Sequence, residues 1–124
     1  MNRRRIVRSL RIAPVVVAFA AFGCGGAAVP HQELTNAKSA ISAAEAADAS
    51  TVPQATLHLQ MAKDAVHEAQ GLIDDGDNER AAKELVRARA DAQLALALAK
   101  QESARADADA ELAKIQELEK EAAQ

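Results

Sequence analysis

Few side chains in this sequence could carry chemistry. There is one cysteine, Cys24, and there are three histidines, His31, His58 and His67. A lone cysteine cannot close an internal disulfide, so its thiol is left for nucleophilic attack or for acylation. His58 and His67 are nine residues apart, about 180° round a helix, and cannot share one metal ion within a chain. His58 lies beside an apolar arc, where a hydrogen-bonded packing histidine is expected. Asp74, Asp75, Asp77 and Glu79 crowd one short stretch around Gly76. They read either as a weak cation site or, in preference, as caps and dipole partners of a helix start. No calcium-loop spacing and no phosphate loop occurs, and no serine stands with a histidine and an acid in a recognisable nucleophile context. The residues therefore predict no catalytic, cofactor-binding or metal site, and a protein that is not an enzyme.

The surroundings of Cys24 give it a role. Arg3, Arg4, Arg5, Arg8 and Arg11 precede an uncharged run over residues 12–22. A basic start followed by about 11 apolar residues has the form of a secretory signal, and is too short to span a bilayer, which takes roughly 20. Ala21-Phe22-Gly23-Cys24 resembles a bacterial lipobox. That resemblance implies cleavage before Cys24 and acylation of its sulfur and of the new N-terminus. Each buried CH₂ of an acyl chain contributes about 0.8 kcal/mol, so several chains anchor firmly. The competing reading is ordinary cleavage after Ala28, with Gly26 at the −3 position. The paired arginines also bear a looser likeness to a twin-arginine signal. Gly25, rather than an aspartate after the cysteine, implies delivery to the outer membrane, facing the periplasm, by resemblance to lipoprotein sorting. Residues 1–23 are thus expected to be a signal peptide and residues 24–30 a flexible tether.

Beyond the tether the composition dictates helices. Apolar residues make up 49% of the chain but aromatics only 2%, and the remainder is rich in Ala, Leu, Glu, Lys, Arg and Gln, all good helix formers. The sequence predicts an all-α domain over 31–124: an elongated antiparallel helical hairpin or three-helix bundle with a long C-terminal helix. Helices are expected over about 31–49, 53–75 and 78–122. Val52 before Pro53 cannot stay in the α region, which breaks the first from the second, and Pro53 suits a first helical turn. Gly76 suits a left-handed C-terminal position and Asp77 an N-cap. In the second helix an arc of about 200°, including Leu57, Leu59, Met61, Val66, Leu72 and Ile73, predicts two neighbouring helices. In the third, Ala81, Leu85, Ala88, Ala92 and Ala99 form the inward stripe. Discounting the first 23 residues leaves 10 basic and 18 acidic side chains, a net charge of −8. That argues against nucleic acid and against electrostatic attachment to anionic lipid.

Helix lengths imply an overhang. A second helix of about 22 residues covers the third only to around Lys100, so the last two dozen residues project by roughly 36 Å. They project from the end opposite the tether. Leu112, Ile115 and Leu118 there form an apolar seam with Ala104, Ala108 and Ala122. Its heptad spacing is interrupted at Gln101 and Glu111. Pairing with another chain and a single, frayed helix are both compatible with it.

The spacing of Leu59, Ala62, Val66, Ala69 and Ile73, then Gly76-Asp77, then Glu79, Ala81, Leu85, Ala92 and Ala95, resembles an uncharacterised bacterial envelope family, domain of unknown function 4398. The likeness covers about residues 34–100. It implies a lipoprotein signal, three helices with a proline before the second, and a Gly-Asp turn before the third. At Asn78 this chain departs from the aromatic residue that often follows the turn in that family. A weaker echo of a tetratricopeptide hairpin lacks that repeat's Trp and Tyr and the three units an array needs. The expectation for function is a structural or protein-interaction module, anchored to the membrane by lipid, with a protein partner or a second copy at its exposed seam. The alternative is a soluble periplasmic adaptor, pilotin-like, that receives a helix on an uncovered part of the second helix.

Overall fold

In the computed structural model, residues 26–124 are described. Cys24, the signal segment and the start of the tether lie outside them. Three α-helices follow one another: α1 (His31–Ala46), α2 (Pro53–Asp74) and α3 (Asn78–Ala122). α1 and α2 both pack on the first half of α3, while α1 and α2 touch each other sparingly. No strand occurs among the described residues.

The breaks follow local backbone chemistry. α1 ends at Ala46, three residues short of the expected boundary, because Asp48 adopts a left-handed conformation at φ 56°. Aspartate tolerates that region better than most side chains. A single 3₁₀ turn, Ala49–Thr51, follows, and Val52 is extended before Pro53 opens α2. The Thr56 hydroxyl lies 3.0–3.2 Å from the carbonyls of Ala49, Ser50 and Val52, and its one proton ties this connection to the first turn of α2. At the other break Gly76 has φ 80°. Its amide donates to the Ile73 carbonyl at 3.0 Å and the Asp77 amide donates to Leu72 at 2.8 Å. That pair of bonds is a Schellman closure, which satisfies carbonyls a helix end leaves unpaired.

The core is made mainly of alanine. Of sixteen buried apolar residues among those described, twelve are Ala, and Leu85 is the one large side chain that is fully buried. Small side chains let the helix axes approach closely, at the cost of little buried area per residue. The expected inward stripe of α3 is buried throughout, as are Ala37, Ile41 and Ala44 of α1. The expected arc of α2 is too wide. Leu57 is 60% exposed, whereas Ala55, not anticipated, is fully buried. Leu57 lies about 150° from the centre of the buried face formed by Ala55, Leu59, Ala62 and Ala69. Only α3 packs extensively on α2, so the buried face is narrow. The helix with two close neighbours is α3, not α2.

The tether also differs from expectation. From Ala27 onward it is held: the Asn78 side-chain amide donates to the Ala27 carbonyl at 2.7 Å, and Pro30 is buried. The chain therefore enters the bundle beside the Gly76 turn.

Candidate interaction surface

Polar groups near the core act in packing and capping. His58 Nδ1 of α2 lies 3.2 Å from Asp91 Oδ1 of α3, and both side chains are partly buried. The far side of that carboxylate meets Arg87 Nε at 3.9 Å, and Arg87 pairs with Glu84 at 3.3 Å. The histidine bridges two helices, the role its position beside the apolar face suggests. His31 and His67 are exposed. Lys63 meets Glu45 at 2.6 Å, a pair that spans α2 and α1.

The acidic cluster resolves into a helix start. Asp77 accepts from the Arg80 amide at 3.3 Å and so caps α3. Glu79, in the first turn, pairs with Lys83 at 2.8 Å. That hydrogen bond and the adjacent negative charge hold the Lys83 ammonium above its usual pKa. Asp74 and Asp75 do not join the cap; Asp75 is exposed beside the turn. Among the described residues no three His, Cys, Asp or Glu side chains come together as a metal site would require. Nor is any described helix long and apolar enough to cross a membrane.

The most extended exposed surface is on α3. The last buried residue of that helix is Ala99, and every residue from Lys100 to Gln124 is exposed. The helix nevertheless continues unbroken to Ala122. Residues 100–122 therefore form an arm about 34 Å long, at 1.5 Å per residue. Extending an existing helix avoids the costly nucleation step, which is why such an arm persists without a bundle around it. Leu112, Ile115 and Leu118 are 56%, 50% and 56% exposed along it.

The arm does not prolong the bundle core. The positions in line with Leu85, Ala88, Ala92, Ala95 and Ala99 are Glu102, Ala106, Asp109, Ala113, Gln116 and Lys120. Those are mostly polar. The apolar residues of the arm lie about 150° round the helix, on the side facing away from α1 and α2. Sequence reasoning that carries the apolar spacing on past Lys100 misses this change of side. The polarity of the in-line positions is its signal.

The tether and the Gly76 turn share one end of the molecule, as the bond between Asn78 and Ala27 requires. The arm leaves from the other end, where the α1–α2 connection meets α3 in a shallow groove lined by Asp48, Val52, Ala99 and Ser103.

A family model described as a domain of unknown function, DUF4398, matches residues 32–111. The match runs from the first turn of α1 through all of α2 and 11 residues past Lys100, so the family pattern includes the base of the arm. No curated protein and no solved structure matches the chain. With the match covering well over half of its length, the chain belongs to the DUF4398 family.

Proposed function

We propose that this chain is a non-enzymatic lipoprotein of the bacterial cell envelope, which Cys24 anchors to the outer membrane and which offers the α3 arm to a protein partner in the periplasm. The observation that carries the reading is the placing of three large apolar side chains on an exposed helix, at the end of the bundle away from the tether. Leu112, Ile115 and Leu118 have no bundle to stabilise there, and exposed apolar surface of this kind marks interaction sites. The basic and apolar segments before Cys24, and the lipobox-like Ala21-Phe22-Gly23-Cys24, support the anchor. A second reading, a soluble adaptor of pilotin-like kind, is favoured by Leu57, which leaves an uncovered apolar position on α2.

The test is expression of the full chain and of Cys24→Ser in a Gram-negative host, followed by intact mass and membrane fractionation. The expected result is a wild-type product comprising residues 24–124 plus a lipid increment, in the membrane fraction, with both features lost in the variant. A soluble, unmodified product cleaved near Ala28 would overturn the anchor and leave the adaptor reading. A chain stopped after Lys100 should fractionate like wild type but lose the complexes seen after chemical cross-linking in intact cells. Unchanged complexes would remove the arm from the proposal.

A further inference from the structure

We infer that the partner of the arm is the arm of a second copy, paired antiparallel over residues 97–122. This rests on the reading of the arm as an interaction surface and names its occupant. Along the outer side of α3, Ala97, Ala104, Ala108, Ile115, Leu118 and Ala122 recur at spacings built from threes and fours, and all are exposed. That is the seam of a two-stranded coiled coil. Gln101 and Glu111 interrupt it, and the charges beside it select the orientation. A parallel, in-register pair would set Glu111 level with Glu111 of the other copy inside the seam and Lys100 beside Arg105, with Lys114 beside Glu119 as its one attractive flanking pair. Like charges at the first two oppose association.

In an antiparallel pair, residues of the two helices that lie level have numbers with a constant sum. The register that sets Ala97 level with Ala122 also sets Ala104 level with Ile115, and Gln101 with Leu118. Glu111 then lies level with Ala108, offset from Glu111 of the other copy by about 4.5 Å along the axis rather than directly opposite it, and the small Ala108 side chain leaves each carboxylate a route to solvent. The flanking positions agree. Asp107 lies beside Lys114 of the other copy, and Lys100 beside Glu121, each pair occurring twice by symmetry. Shifting by one heptad in one direction sets Asp107 against Asp107 and Lys100 against Lys114. Shifting in the other sets Lys114 against Lys114 and Asp107 against Glu121. Only the register that overlaps the arms, and stops where the bundles begin, gives opposite charges at both flanking pairs. At the remaining flank, Leu112 lies over the aliphatic stem of Arg105.

The seam would bury on the order of 1,000 Å² in total, at the low end for specific association, so the dimer is weak and concentration-dependent. Tethering to a membrane raises the effective concentration. The two Gly76 turns would lie about 95 Å apart, at opposite ends of a rod with the arms overlapped at its middle.

Disulfide trapping tests this on the full chain carrying Cys24→Ser in a mild non-ionic detergent. Ala97→Cys and Ala122→Cys are made separately; both positions are exposed and each change is small. The expected result under mild oxidation is no covalent dimer from either variant alone and a covalent dimer from their equimolar mixture. Adding Lys114→Glu should lower dimer affinity about tenfold, because two attractive pairs become repulsive. Adding Asp107→Lys as well should restore it. Covalent dimers from each variant alone would show parallel pairing and overturn the inference. So would a mixture that gives none, or a yield indifferent to Lys114→Glu. A negative result here leaves the arm's role to the truncation experiment, whose outcome does not depend on a second copy.

Discussion

Leu85→Ala should remove a large share of the stability of this fold. Among the described residues Leu85 is the one large side chain with no exposed surface, and twelve of the sixteen buried apolar residues are alanines. Removing the equivalent of three CH₂ groups forfeits about 2.4 kcal/mol of transfer free energy, at about 0.8 kcal/mol each. A further contribution comes from the cavity, about 24 cal/mol per Å³ that does not close. Alanines have no rotatable carbon with which to fill the space, and closure requires the helices themselves to shift. The expected total is about 3–4 kcal/mol. The chain contains no Trp and no Tyr, so the assay is urea unfolding followed by circular dichroism at about 222 nm, the helical band. Leu57→Ala, at a position of α2 that is 60% exposed and outside the arm, is the comparison and should change stability by less than about 0.5 kcal/mol. A loss of under about 1.5 kcal/mol for Leu85→Ala, with an unchanged denaturant slope, would refute the argument. It would mean that an alanine core collapses around a vacancy better than packing density implies.

Two backbone substitutions should move stability in opposite directions. Gly76→Ala places a Cβ where nothing lies within 4 Å, but at φ 80°. The cost is purely conformational, about 1 kcal/mol, and the midpoint of the same urea transition should fall accordingly. Asp48→Gly relieves a side chain held at φ 56° that makes no cap hydrogen bond. The relief and the added freedom of the unfolded glycine nearly offset each other, giving a change between zero and about 0.5 kcal/mol of stabilisation in the same measurement.

Much of the fold is legible in local stretches of the sequence. The Ala81, Leu85, Ala88, Ala92 and Ala99 stripe, the Gly76-Asp77 break and the helix across residues 100–122 follow from periodicity, from the need for a left-handed residue at a helix end, and from helix-forming composition. These properties are set by a residue and its neighbours within a few turns. The overhang is legible too, because helix lengths are read from breakers and a rise of about 1.5 Å per residue does the rest. Other features belong to tertiary structure. An apolar arc on α2 cannot say that α3 alone covers it and leaves Leu57 in solvent. That depends on where α1 sits, and α1 sits chiefly on α3. Asp48 cannot announce its left-handed turn, because aspartate enters that region only when the flanking helices demand it. Asn78 gives no local hint that it holds Ala27, fifty-one residues earlier. The two faces of the long helix show the division most plainly. Sequence alone supplies an apolar residue every third or fourth position as far as Ala122. Only the packing of α1 and α2 shows that the apolar residues beyond Lys100 lie on the bare side of α3 rather than in line with its core, because periodicity specifies a face and burial specifies which face is taken.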